Sequence, residues 1–200
     1  MFTVSSDTMA SKICVAVMAA TCYPETQKKV QEELDTVIGK DRPPTFADQD
    51  ILPQTMVFVL ESFRWQPVMS GGFPHKATQD IIWNNYCIPK GALVIGNVWS
   101  MGRDPAIFPD PETFNPQWWI AAGGTLRDDI RSYPFGFSWR VCPGQHIAMA
   151  STLCEDEKEK IDTLAFTESA NVHPMPFKVL FDPRLGGWDM VKEAFEVYGM

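Results

Sequence analysis

One cysteine sits in an aromatic, glycine-containing turn, Pro134-Phe135-Gly136-Phe137-Ser138-Trp139-Arg140-Val141-Cys142-Pro143-Gly144, two residues after an arginine and two before a glycine. Gln145 to Leu153 follows it and reads as the start of a helix. A cysteine just ahead of a helix N-terminus has its thiolate favoured by the helix dipole and by free backbone N–H groups. A thiolate can serve as the axial ligand that pushes electron density onto a haem iron. A buried structural cysteine in a turn is the competing reading, and the local sequence leaves both open.

A second constellation is Glu61-Ser62-Phe63-Arg64, an acid and a base three apart and therefore on one helical face. Exposed pairs at this spacing are common and nearly neutral energetically. Here the flanking residues are apolar and aromatic, which points to a partly buried pair needing further hydrogen bonds.

The elements that must position these groups can be read from breakers and periodicity. A helix begun near Ser5 continues through Ser11 to Cys22, and Pro24 suits the first position of a second helix. Val30, Leu34, Val37 and Ile38 form one apolar stripe of that helix, and Gly39 ends it. Lys40 to Asp50, with Pro43-Pro44, reads as a loop. A third helix starts at Pro53, carries Met56, Val57, Val59, Leu60 and Phe63, and ends before Pro67. Then the period changes. Asp80 to Trp83 and Tyr86 to Pro89 flank Asn84-Asn85 as a hairpin, Pro89-Lys90-Gly91 makes another turn, and Leu93 to Val98 reads as a buried strand. Six prolines between Asp104 and Pro143 forbid long regular elements there. Phe177, Val179 and Phe181 alternate as a strand would.

The 200 residues, 45% apolar, suffice for one core. A net charge of −8 argues against a general binder of nucleic acid. Five cysteines, Cys14, Cys22, Cys87, Cys142 and Cys154, form no C-x-x-C pair and carry no zinc-type histidine spacing, which implies free thiols in a reducing compartment. Ile13 to Cys22 mimics a signal-peptide core, but Asp7 rather than a basic region precedes it. The run is too short to span a bilayer and reads as buried helix.

Taken in order, these motifs resemble the cytochrome P-450 family of haem-thiolate monooxygenases. Ser5-Ser6-Asp7-Thr8 resembles the oxygen-activation motif A/G-G-x-D/E-T, and Glu61 to Arg64 the E-x-x-R helix. Asp110 to Trp119 resembles the P-x-x-F-x-P-x-R-W/F segment of the meander, and Phe135 to Gly144 the F-x-x-G-x-R-x-C-x-G ligand loop. His173-Pro174-Met175-Pro176-Phe177-Lys178 resembles an ending common in fungal members. The resemblance runs roughly from Ser5 to Arg184.

It implies a mainly α fold with a small β-sheet around residues 80–98, the C-terminal portion of the haem domain. Residues 1–200 would then be a partial domain comprising central helix, E-x-x-R helix, meander and Cys-ligand loop, with the N-terminal half and its membrane anchor absent. Cys142 would ligate the iron of haem b (iron protoporphyrin IX). Gly144 would let backbone N–H groups approach the sulfur, Phe135 would shield it, and Arg140 and His75 would face haem propionates. Thr8 would hold a water over the oxygen site, and Asp7 would relay protons into it. The implied partners are an NADPH-dependent reductase and a small organic substrate, which Met69 to Phe73 is the segment placed to touch. The implied location is intracellular; family members typically sit at the endoplasmic reticulum membrane, but the anchor would be absent from this stretch.

The chain departs from the family's pattern at three positions. Trp118 stands where an arginine is expected to join Glu61 and Arg64, a loss worth about 3–5 kcal/mol if it leaves a buried charge network short. Ser138 stands where glycine is expected, at a cost of about 1–2 kcal/mol if the site needs positive φ. Trp139 occupies a position often basic, where it would weaken docking of a reductase. The helix after Cys142 also runs early into Cys154-Glu155-Asp156. Two functions follow: a haem monooxygenase inserting one oxygen atom from O2 into an organic substrate, or a non-catalytic truncated remnant with weak or no haem binding.

Overall fold

The structure, a computed structural model, describes residues 2–42, 44–127, 129 and 133–144. The expected helix from Gln145, the strand at Phe177 to Phe181, the His173 to Lys178 ending and Cys154 lie outside the described residues.

The molecule is mainly helical with small antiparallel sheets. The long helix α1 spans Phe2–Cys22. From Val15 to Ala20 it is buried at every position, because α2 and α3 pack against it. Pro24 opens α2, Pro24–Val37, as its missing N–H allows. Val30 and Leu34 turn inward as the stripe predicts and half-buried Ile38 packs against the same cluster, but Val37 is 43% exposed and falls outside it. Gly39 closes the helix in the left-handed region (φ 78°), and its N–H donates to the Leu34 carbonyl at 3.1 Å. The expected loop beyond it contains a 3-10 turn, Phe46–Ile51. Asp48 organises this turn, accepting from the Thr45 N–H at 2.7 Å and from both Arg42 Nη atoms at 2.8 Å. The Arg42 and Thr45 donors hold its carboxyl far below the usual carboxylate range.

Helix α3, Pro53–Trp65, is the centre of the fold, with every residue from Thr55 to Trp65 buried. A helix covered all round needs its free N–H groups satisfied from outside. Leu52, at its N-cap, supplies no side-chain bond. Glu33 of α2 does so instead, accepting from the N–H groups of Gln54 (2.7 Å) and Thr55 (2.8 Å) and from Thr55 Oγ1 (2.9 Å). Its negative charge also suits the positive end of the helix dipole.

Two apolar clusters flank α3. In one, Ala16, Met18 and Ala19 of α1 meet Val30, Leu34, Phe58, Trp65 and Phe114. In the other, Val57 and Leu60 meet Val98, Phe108 and Trp119.

The β structure differs from the expected single sheet. Strand β1 (Pro74–Lys76) pairs antiparallel with β4 (Leu93–Ile95), while β2 (Ile81–Trp83) pairs with β3 (Tyr86–Ile88). Asn84 (φ 46°) and Asn85 (φ 64°) make the predicted hairpin turn, both central residues being left-handed. The expected buried strand from Leu93 to Val98 is a correction. It stops at Ile95, with Leu93 67% and Ile95 60% exposed, and Val98 instead begins the short helix α4, Val98–Met101. Gly96 and Asn97 cause the break: Asn97 Oδ1 caps α4 by accepting from the Ser100 N–H at 3.0 Å. Gly72 is left-handed (φ 64°), and the backbone of Gly96 fills the space its Cβ would need.

Residues 104–127 are irregular, as the prolines dictate, with a 3-10 turn at Pro116–Trp119 and an antiparallel bridge between Ile120 and Leu126. Among the described residues no helix is long and apolar enough to cross a membrane.

Candidate functional site

The Glu61–Arg64 pair lies wholly inside, both side chains at 0% exposure, so the expectation of partial burial is exceeded. Arg64 places all five N–H groups. Nε and Nη2 grip the two Glu61 oxygens at 2.8 and 2.7 Å. Nη1 donates to the carbonyls of Gly102 (2.8 Å) and Pro111 (2.7 Å), and Nη2 also to that of Thr113 (2.9 Å). A planar guanidinium can satisfy three carbonyls and a carboxylate at once; an ammonium cannot. Beside it, Trp65 Nε1 donates to the Glu112 carbonyl at 3.0 Å. Helix α3 is thereby fastened to the irregular segment.

Burial pushes the Glu61 carboxyl upward, opposed by Arg64 and by the Asn115 and Trp119 donors. Its oxygens accept four hydrogen bonds: two from Arg64, one from the Asn115 N–H at 2.7 Å and one from Trp119 Nε1 at 2.9 Å. This corrects the expected cost of Trp118. Lacking the arginine does not leave the carboxylate short of donors, because the next residue supplies one. Trp118 packs instead beside Phe108, its ring centroid 6.5 Å away. Its indole nitrogen is buried with no partner among the described residues.

The cysteine loop is built from two 3-10 turns, Tyr133–Phe135 and Ser138–Arg140. The Cys142 N–H donates to the Phe135 carbonyl at 2.8 Å, which closes the loop. Its left-handed residue is Gly136 (φ 83°). Ser138 lies in a right-handed 3-10 turn, so the condition for strain at that position is not met. Cys142 is exposed, as are Arg140 and Phe137, and Trp139 is 99% exposed. A Cβ on Gly144 would stand 3.8 Å from Cys142 Sγ, an ordinary contact, so glycine is not sterically required against the sulfur. Phe135 is half-buried, its ring centroid 4.7 Å from that of Phe63 on α3. That tilted ring contact ties the cysteine loop to the helix carrying the ion pair.

Phe63 is shared with α1. Lys12 Nζ stands 4.2 Å from its ring centroid, one helical turn after Thr8 and on the same face. Lys12 is 3% exposed, and its amine has no hydrogen-bond partner among the described residues. Burial pushes it well below the usual lysine range, with Glu61 pulling the other way. Asp7 lies on α1, and Thr8, half-buried, follows it. His75 is exposed on β1, opposite Val94.

The structure thus joins Glu61 with Arg64 and Phe135 with Cys142, and it sets Thr8 one turn from the Lys12–Phe63–Phe135 column. Sequence reasoning missed Trp119 and Asn115 as donors and Lys12 as a buried amine. For Lys12 the signal was present: one cation at the edge of an apolar run on a helix read as buried.

A buried acid–base lock on a central helix, an irregular proline-rich segment and a closed loop carrying an exposed cysteine together define a mainly helical domain. This chain belongs to the cytochrome P450 family, whose model matches residues 1–153. It is 49% identical to cytochrome P450 monooxygenase 113 of Postia placenta over 96% of this chain and 41% of that protein. It is 48% identical to monooxygenase 64 of the same organism over 92% and 40%. Cytochrome P450 monooxygenase claR of Ampulloclitocybe clavipes is 33% identical over 90% and 36%. The chain therefore spans about two-fifths of the length of the curated relatives it matches.

Proposed function

We propose that this chain carries the thiolate-ligand portion of a haem monooxygenase, with Cys142 as the axial ligand of haem b. The observation carrying this reading is the exposed Cys142 thiol on a loop pinned to α3 through Phe135 and Phe63. The donor set fits the group: Cys142, unlike the exposed Cys14 on α1 and Cys87 on β3, offers its sulfur from a loop closed on α3, and the exposed Arg140 and His75 are there for carboxylates. Haem, when bound, supplies the redox chemistry by which one atom of O2 enters an organic substrate and the other leaves as water.

The chain's own residues have the remaining tasks. Phe135 shields the sulfur from water, and Gly144 lets backbone N–H groups approach it. Arg140 and His75 orient the propionates. Thr8 holds a water by its hydroxyl, and Asp7 passes a proton to it, a general-acid role suited to a carboxyl group. Glu61 and Arg64 keep the segment leading into the loop docked on α3. Electrons come from an NADPH-dependent reductase and the substrate is a small organic molecule, by family. Residues 1–200 act as part of a haem domain of the endoplasmic-reticulum type.

The test is a carbon monoxide difference spectrum of the reduced 200-residue chain after haem supplementation, with Cys142→Ser alongside. A thiolate-type band that Cys142→Ser abolishes supports the proposal. No such band from a folded chain overturns it, in favour of a non-catalytic member of the family. That second reading has its own observation: Ile82, Trp83 and Tyr86 on the β2–β3 pair and Ile95 on the β1–β4 pair are each at least 60% exposed, apolar side chains left uncovered on both small sheets.

A further inference from the structure

We propose that Trp119 is a positioning residue: its indole N–H completes the buried Glu61 carboxylate and takes over the task of the arginine that Trp118 replaces. The geometry carries this. Trp119 and Glu61 are both fully buried, and Nε1 donates to Glu61 Oε2 at 2.9 Å. The same oxygen accepts from Arg64 Nε at 2.8 Å, while Oε1 accepts from Arg64 Nη2 and the Asn115 N–H, each at 2.7 Å. Each oxygen thus holds two donors, and all four are used to keep one buried charge.

An indole can do this because it donates and never accepts, so it can face an anion without competing for the neighbouring guanidinium protons. It carries no charge, and Arg64 then remains the sole guanidinium bonded to Glu61 among the described residues. The 3-10 turn at Pro116–Trp119 makes the geometry possible. Asn115, at its N-cap, offers its backbone N–H to one oxygen, and Trp119, at its last position, offers the indole to the other. One short turn therefore closes on both oxygens, and Arg64, fixed by the ionised carboxylate, reaches the carbonyls of Gly102, Pro111 and Thr113. Trp119→Phe would keep the ring and delete the donor.

The charged or titratable groups around Glu61 are Arg64 on α3, Lys12 on α1 and Tyr23 just beyond α1. Removing a donor penalises the ionised carboxylate more than the neutral acid, whose remaining acceptor bond is weaker. The loss is then largest at neutral pH and lessens once Glu61 is protonated.

The experiment measures the folding equilibrium of the 200-residue chain by urea titration at pH 7 and pH 4, for Trp119→Phe in the Glu61 and Glu61→Gln backgrounds. The expected result is a fall of about 10- to 100-fold at pH 7 with Glu61 present. That fall shrinks at pH 4 and in the Glu61→Gln background. An equal loss in all conditions means that Trp119 only fills space, and overturns the proposal. Should the variants not fold, indole N–H exchange in the unaltered chain decides. Strong protection of the Trp119 proton, against the exposed Trp139, supports the bond; equally fast exchange refutes it. None of these readouts depends on haem binding, so the proposal can fail or stand separately from the ligand role of Cys142.

Discussion

Arg64→Lys tests the central claim about how the irregular segment is held. The substitution keeps the charge beside Glu61 but replaces five directed N–H groups with at most three. Arg64 makes five hydrogen bonds, two to Glu61 and three to carbonyls 38, 47 and 49 residues away. At least two buried acceptors must lose their donor, each costing about 1–3 kcal/mol. With some relaxation the expected loss is about 3–5 kcal/mol. For a urea slope of roughly 2 kcal/mol/M this lowers the unfolding midpoint by about 1.5–2.5 M. The assay is urea unfolding followed by far-ultraviolet circular dichroism, with Lys28→Gln as the control, since its pairing with Glu32 is exposed on both sides. The control leaves the midpoint unchanged. A midpoint for Arg64→Lys within about 0.3 M of the parent would refute the reasoning, because a charge alone would then suffice.

Lys12→Met removes a buried amine with no described hydrogen-bond partner and keeps the stem packed on Phe63, so stability at pH 7 rises. The sign follows from the downward shift of the amine. Parent stability falls as pH drops from the unfolded lysine value, about 10.4, toward the lower folded value, and the variant lacks that slope. Urea titrations at pH 7 and pH 10 check both parts. Gly72→Ala destabilises, since alanine must adopt a left-handed φ, at about 1–2 kcal/mol, and must also displace the Gly96 backbone. A thermal midpoint equal to the parent's contradicts the close approach.

Helices were legible where punctuation was chemical. Pro24 and Pro53 open α2 and α3, Gly39 closes α2, and Asn84-Asn85 turns the hairpin, each through a conformational preference that acts locally. Leu93 to Val98 misled because an apolar run carries no mark of what packs across it, and Asn97 caps helices as readily as it ends strands. The E-x-x-R pair and the cysteine loop were visible as spacing. The donors around Glu61 were not, because Asn115 and Trp119 reach it only through the folding of a 3-10 turn that spacing does not encode. Glu33 was hidden for the same reason: it caps a helix about twenty residues further along the chain.

The three carbonyls gripped by Arg64 also bear on how the molecule assembles. Joining residue 64 to Gly102 closes a loop of 38 residues, an entropic cost of about 3 kcal/mol. Once that loop is closed, the step from Gly102 to Pro111 adds about 2 kcal/mol and the step on to Thr113 less than about 1, together far below closing each contact from residue 64 afresh. One guanidinium therefore turns three distant contacts into a single event. The stretch from Gly102 to Thr113 should dock and release as a unit, and its amide protons should exchange with solvent together rather than one turn at a time.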